Sequence, residues 1–108
     1  QLINILRDLP SDLKAGRCYL PSVDASDKDA LMNESTRWRT RARTYLEEGQ
    51  SYAQSLILRR TRSSTALPGL IGERTLDLMD TADWSSLEQG VKISRGEVYR
   101  CAWEALFV

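Results

Sequence analysis

Histidine is absent from this chain of 108 residues, and cysteine, proline and phenylalanine are scarce. The absence of histidine excludes histidine-activated nucleophiles, histidine proton shuttles and most zinc-site patterns. The two cysteines, Cys18 and Cys101, stand far apart in unlike contexts, so we expect both to be free thiols. No apolar run approaches the roughly 20 residues that cross a bilayer.

No charge of one sign dominates, because 15 basic residues balance 15 acidic ones. One stretch is nevertheless rich in arginine, with further arginines after it: Arg37, Arg39, Arg41, Arg43, then Arg59, Arg60 and Arg62. Two interpretations are open, an anion- or RNA-binding patch, or a solvated helix side partly paired with Glu34, Glu47 and Glu48. The neutral total favours the solvated side, and we expect no nucleic-acid partner.

Helical periodicity runs through the chain, and no stretch shows the sustained alternation of a strand. We predict an all-α chain of about four to five helices. The predicted helices cover Leu2 to about Ala15, part of Asp24–Asn33, about Ser35 to Arg62, Ala66 to Met79 with Pro68 in its first turn, and the residues after Ser94. Gly16–Val23 should be a connector and Asp80–Val91 a loop, and Pro10 predicts a kink or helix end near Leu9.

Local signals support several of these boundaries. Ser26 or Asp27 can cap the second helix, and Ser94 with Glu97 matches a capping box. Gly16 suits the position just after a helix end. On the long helix we expect one buried stripe, with Gly49 on it at a close helix contact: Trp38, Ala42, Tyr45, Tyr52, Ala53, Leu56 and Ile57.

The first helix carries the most informative residues. Asn4, Asp8 and Asp12 are spaced four apart, so they stack on one face, and Gln1 joins the same stripe. Two carboxylates with amide oxygens beside them suit a hard divalent cation such as Mg²⁺, which completes its shell with water and phosphate. Taken alone, a carboxylate pair at this spacing is more often a solvated helix face.

The flanking residues extend this stripe into a longer pattern. Q-x-x-N-x-x-R-D-x-x-x-D over residues 1–12, followed by G-R-x-Y-L-P over residues 16–21, resembles the squalene/phytoene synthase family. Its members are all-α prenyltransferases that join two allylic diphosphates head to head. The stretch Val91–Ser94 resembles the family's C-terminal region more weakly. The resemblance implies a helical bundle fragment of an isoprenoid-synthase-type fold.

The resemblance implies roles for the matching positions. Asn4, Asp8 and Asp12 match the Mg²⁺ ligands, Gln1, Arg7 and Arg17 match diphosphate-binding positions, and Arg17 and Tyr19 match the catalytic element that closes over the diphosphate and the reacting carbons. Such a metal neutralises the charge that grows on the leaving diphosphate, and arginine adds bidentate hydrogen bonds. An aromatic face near a carbocation contributes about 0.5–2 kcal/mol. No protein nucleophile is required, because the leaving diphosphate can serve as the base.

Two departures from the family pattern limit what the chain is expected to do. The family has a first aspartate-rich motif on an earlier helix, and this chain has no other D-x-x-x-D. Leu76 also stands two residues after Arg74, where many members place a tyrosine. Because the chain lacks an initiator methionine and starts inside a periodic pattern, we expect residues 1–108 to be a single C-terminal fragment whose upstream part is missing. Alone it should be inactive.

Partners follow from the same resemblance. The expected substrate is farnesyl or geranylgeranyl diphosphate, Mg²⁺ is the expected cofactor, and the residues present carry no signal for or against NADPH. An apolar product predicts peripheral membrane association of the parent protein, and the expected location is cytoplasmic. The alternative is a non-catalytic helical interaction module derived from the family. A chain without its partner helices should also self-associate.

Overall fold

A computed structural model describes residues 1–21, 24 and 26–108 of the chain. Six helices occur among these residues. They are α1 (Leu2–Arg7), α2 (Leu9–Lys14), α3 (Lys28–Gln54), α4 (Arg59–Thr81), α5 (Trp84–Gln89) and α6 (Arg95–Ala105). No strand occurs among the described residues, so the predicted all-α class is confirmed. None of these six helices is long and apolar enough to cross a membrane.

The two long helices form the centre of the fold. α3 packs along α4, α1 contacts both of them, α6 packs on α4, and α2 contacts α5. The core contains residues from all of these except α6: Leu6, Leu9, Leu20, Leu31, Ala42, Leu76, Met79 and Leu87. Because Leu6 and Leu9 are buried there, the two first helices are held by their apolar side.

The predicted first helix is divided at Asp8. Asp8 ends α1 and begins α2 with φ −93° and ψ 8°, and Pro10 follows in the first turn of α2. Proline tolerates a first turn because its missing N–H has no helical partner there. The expected break near Leu9 is therefore confirmed.

The caps were predicted better than the helix ends. The Asp27 carboxylate accepts the Ala30 N–H at 3.1 Å, and Ser94 Oγ accepts the Glu97 N–H at 3.2 Å. The predicted ends were wrong at three places. α3 absorbs the separate short helix and stops at residue 54, α4 starts at 59 with Pro68 in its interior, and α5 occupies the predicted loop. Residues 22, 23 and 25, which belong to the predicted connector and short helix, lie outside the described residues.

The buried side of α3 differs from the predicted stripe. Ala42 and Ala53 are buried, but Tyr45, Tyr52 and Ile57 are exposed. The buried side runs instead through Leu31, Ser35, Arg39 and Ala42. An arginine occupies this stripe because charged partners on α4 compensate for its burial.

Those partners account for part of the arginine-rich stretch. Arg39 Nε donates to Asp80 at 3.0 Å, and its other nitrogens donate to Ser35 and Thr36. Arg43 donates to Asp77 at 2.9 Å and also pairs with Asp80. The expected pairing of Arg37 with Glu34 is present at 3.4 Å, but the main acidic partners lie on α4 rather than at Glu47 and Glu48.

Close helix contact occurs at Gly72 rather than at Gly49. A Cβ atom placed on Gly72 would lie 2.7 Å from Ile3 Cδ1 and 3.6 Å from Leu46 Cδ2. A Cβ on Gly49 would meet nothing within 4 Å. The predicted close contact at Gly49 was therefore wrong, and the small residue that lets α1 approach α4 is Gly72.

Candidate functional site

The residues of the predicted metal stripe lie on one helical face. The Asp8 N–H donates to the Asn4 carbonyl at 2.9 Å, and the Asp12 N–H donates to the Asp8 carbonyl at 2.8 Å. These two bonds preserve the one-turn spacing across the break at Asp8. Asn4 is exposed, while Asp8 and Asp12 are half-buried. The structure thus keeps the three side chains on the side opposite the buried leucines.

Arg7 is hydrogen-bonded to the first carboxylate of this face, that of Asp8. Its Nε and Nη2 atoms donate to Asp8 Oδ1 and Oδ2 at 2.9 and 3.2 Å, a bidentate arrangement. The hydrogen bond to Asp8 raises the pKa of Arg7, so the guanidinium stays charged at any physiological pH. Both carboxylate oxygens of Asp8 therefore accept hydrogen bonds from Arg7.

Arg17 reaches the second carboxylate through a turn that Gly16 makes. Gly16 has φ +78°, a left-handed conformation that side chains with a Cβ disfavour. The Gly16 N–H donates to the Leu13 carbonyl at 3.0 Å and the Arg17 N–H to the Asp12 carbonyl at 2.8 Å, which is a Schellman motif. This turn returns the Arg17 guanidinium to within 3.5 Å of Asp12 Oδ1.

The remaining predicted site residues flank this face. Gln1 is exposed and occupies the N-cap position of α1. Tyr19 is exposed as well, two residues after Arg17, and the next residue, Leu20, is buried in the core. Leu20 therefore anchors the segment that carries Arg17 and Tyr19 beside α2.

The donor set fits a cation that keeps part of its water and phosphate shell. Across the described ranges, no group of three or more histidine, cysteine, aspartate or glutamate side chains could hold a metal. Asn4, Asp8 and Asp12 supply two carboxylates and one amide oxygen. Mg²⁺ commonly takes one or two carboxylates and completes its octahedron with water and substrate phosphates. The residues present therefore suit Mg²⁺ bound together with a diphosphate.

A groove between α3 and α4 was not anticipated from the sequence. Its volume is about 260 Å³, and its lining includes Leu46, Gly49, Ala66, Gly69 and Leu70. None of the predicted site residues lines it. The sequence signal for this groove is the set of small residues of α4 at positions 66, 69 and 72. Small side chains on one side of a helix open space beside a neighbouring helix.

Arg74 and Leu76 serve the packing of α4. Arg74 Nη2 donates to Glu104 at 2.9 Å, and Arg74 Nε lies 3.6 Å from Glu97, so this arginine joins α4 to α6. The charge of Glu104 raises the pKa of Arg74. Leu76 is fully buried in the core. The position two residues after Arg74 is thus filled by an apolar core residue.

Comparison with known proteins gives a consistent result. A family model described as squalene/phytoene synthase matches residues 1–97. The chain is 29% identical over 110 residues to a chloroplastic phytoene synthase of an Oncidium hybrid cultivar, covering 90% of this chain and 26% of the relative. It is also 29% identical over 108 residues to that of Narcissus pseudonarcissus, covering 88% and 25%. The chain thus spans about a quarter of the length of these curated relatives. No solved structure matches it significantly.

Proposed function

Because the chain belongs to the squalene/phytoene synthase family, we propose that it supplies the second aspartate-rich motif of a Mg²⁺-dependent prenyltransferase. The reaction proposed for the parent protein joins two allylic prenyl diphosphates head to head. Asn4, Asp8 and Asp12 would hold Mg²⁺, which when bound neutralises charge on the leaving diphosphate. The other half of the ligand set belongs to the family's first motif, so the isolated chain is proposed to be inactive.

The arrangement of guanidinium groups supports this role. Arginine has five N–H donors. The contacts described for this face use two donors of Arg7 on Asp8 and one of Arg17 on Asp12. Their further donors suit phosphate oxygens of a diphosphate held at the same carboxylates. Tyr19 would present its ring to the allylic cation formed beside that diphosphate.

The observation that carries the proposal is the Gly16 turn. It brings Arg17, a residue distant from Arg7 in sequence, back to the face that bears Asp12. Two cationic side chains and three oxygen-donating side chains thereby share one short helical face. The left-handed glycine by itself ends a helix in the ordinary way, so the support for the proposal is the second arginine, which the turn places beside Asp12.

Calorimetry with inorganic diphosphate tests this assignment. We expect binding in the roughly millimolar range when Mg²⁺ is present, because the chain carries one of two motifs. Asp12→Asn and Asp8→Asn should each weaken Mg²⁺-dependent binding by about tenfold or more, since each removes one charged metal ligand. Asp29→Asn, an exposed acid in the first turn of α3, is the matched control. Equal diphosphate binding by all four proteins would contradict the proposal.

Product analysis tests the reaction class. The complete enzyme that contains this segment should be incubated with farnesyl or geranylgeranyl diphosphate, with and without NADPH. We expect a symmetric head-to-head product that depends on Mg²⁺, and the NADPH arm distinguishes reduced from unreduced products. A non-catalytic interaction module predicts instead a dimer, measured by light scattering, that neither Mg²⁺ nor diphosphate changes.

A further inference from the structure

Asp8 is the middle member of the stripe that carries the three oxygen-donating side chains. Asn4 and Asp12 lie on either side of it, each one helical turn away. These two outer residues are therefore about 12 Å apart along the helix direction. Mg²⁺ binds its oxygen ligands at about 2.1 Å, so one ion cannot take both outer side chains. An ion that takes two protein ligands from this face needs Asp8.

The Asp8 carboxylate is already engaged by a cation of the chain itself. Arg7 Nε donates to Asp8 Oδ1 at 2.9 Å, and Arg7 Nη2 donates to Asp8 Oδ2 at 3.2 Å. Each oxygen thus accepts a charge-assisted hydrogen bond, and the guanidinium lies against the carboxylate. A metal dication at the remaining lone pairs would have this positive charge as its neighbour. The pair therefore opposes the binding of a metal ion that arrives alone.

Asp12 is engaged much more weakly. Arg17 Nη2 lies 3.5 Å from Asp12 Oδ1, which is at the outer limit of a hydrogen bond. The contact involves one oxygen of Asp12, whereas Arg7 covers both oxygens of Asp8. The Arg17 side chain is also 58% exposed. The two carboxylates of the face thus differ in their readiness for a metal, and the one in the middle is the less ready.

A diphosphate can release Asp8 from its arginine. Arginine keeps its charge in proteins, so its guanidinium leaves a carboxylate in favour of another anion. Phosphate oxygens accept the same planar pair of donors that a carboxylate accepts. The side chains of Arg7 and Asp8 are 34% and 46% exposed, and a salt bridge this exposed stabilises by a factor of about five at most. Exchange of the carboxylate for a phosphate therefore costs little.

We propose that Arg7 gates Asp8 and thereby couples the binding of Mg²⁺ at this face to the binding of a diphosphate. The gate is the pair of Arg7 and Asp8. When a phosphate accepts the guanidinium, both oxygens of Asp8 become available as metal ligands. Arg7 is then a positioning residue for the metal as well as a diphosphate contact. The gate rests on the proposed function, because it requires that this face binds Mg²⁺ with a diphosphate.

The coupling has a consequence for selectivity. If diphosphate raises the affinity for Mg²⁺ by some factor, Mg²⁺ raises the affinity for diphosphate by the same factor. The middle carboxylate then takes a metal together with the anion and not before it. Direct bonds between metal and phosphate oxygens couple the two ligands as well, so a test of the gate has to isolate the part that depends on Arg7.

Nuclear magnetic resonance of the chain tests the gate, with Mg²⁺ alone and preformed magnesium diphosphate as separate titrants. Mg²⁺ alone should bind the unmodified chain more weakly than magnesium diphosphate, and it should shift the amide signal of Asp12 more than that of Asp8. Magnesium diphosphate should also shift the Nε–H signal of Arg7, because this donor changes its acceptor.

The variant Arg7→Gln should change the two affinities in opposite directions. Its affinity for Mg²⁺ alone should rise about fivefold, because Asp8 is no longer covered. Its affinity for magnesium diphosphate should fall about threefold or more, because the arginine contact to phosphate is lost. Damage to the fold would lower both affinities. The melting temperature should change little, since the lost surface pair is weak.

Two further proteins make the test specific. Asp8→Asn in the Arg7→Gln background should return the affinity for Mg²⁺ alone to about that of the unmodified chain, because the gain depends on Asp8. Arg100→Gln is the matched control. Arg100 also pairs locally, with Glu97 at 3.2 Å, but it lies on α6, so its loss should change neither affinity.

Unchanged or lower affinity of Arg7→Gln for Mg²⁺ alone would overturn the gate. If the unmodified chain nevertheless bound magnesium diphosphate, and Asp8→Asn weakened that binding, the diphosphate site would stand without the gate. If the unmodified chain did not bind magnesium diphosphate at all, the proposed function would fail and the gate would fail with it.

Discussion

Among single residues, Gly72 determines how closely α1 approaches α4. We expect Gly72→Ala to lower the free energy of unfolding by about 1–3 kcal/mol, because the added methyl group would overlap Ile3 at 2.7 Å. Chemical denaturation measures this change. Gly49→Ala is the matched control, and it should raise stability by up to about 1 kcal/mol through helix propensity. Ile3→Ala in the Gly72→Ala background should recover part of the loss. If both alanine variants had the same stability, the close contact would carry no energetic weight.

The same residue connects packing to the candidate site. Ile3 precedes Asn4, so a shift of α1 away from α4 also moves the first donor of the metal stripe. A glycine on a helical stripe predicts a close helix contact, but that contact lies at Gly72 and not at Gly49. Gly49 lies within α3 and Gly72 within α4. Which of the two makes a close contact depends on which side of its helix faces a neighbouring helix. Tertiary packing sets this, and the local sequence pattern does not contain it.

For the helices as elements, the pairing of α3 with α4 depends on a buried arginine. We expect Asp80→Ala to destabilise the protein by about 2 kcal/mol, because it removes a charged hydrogen-bond partner from Arg39, which is buried. Asp77→Ala should cost no more than about 0.5 kcal/mol, since its partner Arg43 is more exposed. Urea denaturation of the two variants measures the difference.

A second substitution tests whether the lost stability comes from the unpaired charge of Arg39. Arg39→Met in the Asp80→Ala background should regain stability relative to Asp80→Ala alone, because an apolar side chain at that position needs no partner. If Asp77→Ala and Asp80→Ala were equally destabilising, the buried position of Arg39 would not matter.

Local chemistry explains which elements the sequence could predict. The caps at Asp27 and Ser94 and the left-handed turn at Gly16 depend on a few neighbouring residues, and all three are present. No glycine or proline marks the break between residues 54 and 59, so the sequence pattern predicts one continuous helix there. There Leu58 is extended, with ψ 122°, as the chain reverses so that α4 can pack along α3. Proline favours the first turn of a helix, so Pro68 predicts a helix start, but it lies inside α4, where burial of Ala66 before it and Gly72 after it holds the helix together on both sides.

The candidate site was predictable to a similar degree. The stripe of Asn4, Asp8 and Asp12 follows from helical spacing, and the family resemblance pointed to Arg7 and Arg17. The pairing of each arginine with one aspartate could not be read from spacing, because it depends on the Gly16 turn and on side-chain conformation. The metal and substrate roles stay predictions.

For the whole molecule, the two free thiols should report folding. Cys18 is exposed and Cys101 is buried, and burial raises the pKa of the Cys101 thiol. A maleimide at neutral pH should therefore label Cys18 first, with Cys101 slower by more than about tenfold. In a Cys18→Ser variant, labelling of Cys101 should accelerate with urea in step with loss of helical circular dichroism.

Assignment of the fast thiol needs a control. Cys101→Ala should retain the fast phase and lose the slow one, while its small side chain suits the buried position. Equal labelling rates of both thiols in the absence of urea would show that α6 does not stay packed on α4.

The division at Asp8 has a consequence for how the first two helices respond to a ligand. Pro10 has no amide to offer the carbonyl of Leu6, so the junction relies on fewer helical hydrogen bonds than a continuous helix. A ligand that bridges Asn4 and Asp12 restrains this junction and removes conformational freedom from both helices. Deuterium uptake at the amides of α2 should then slow on binding. Exchange in this short helix would therefore report whether the site is occupied.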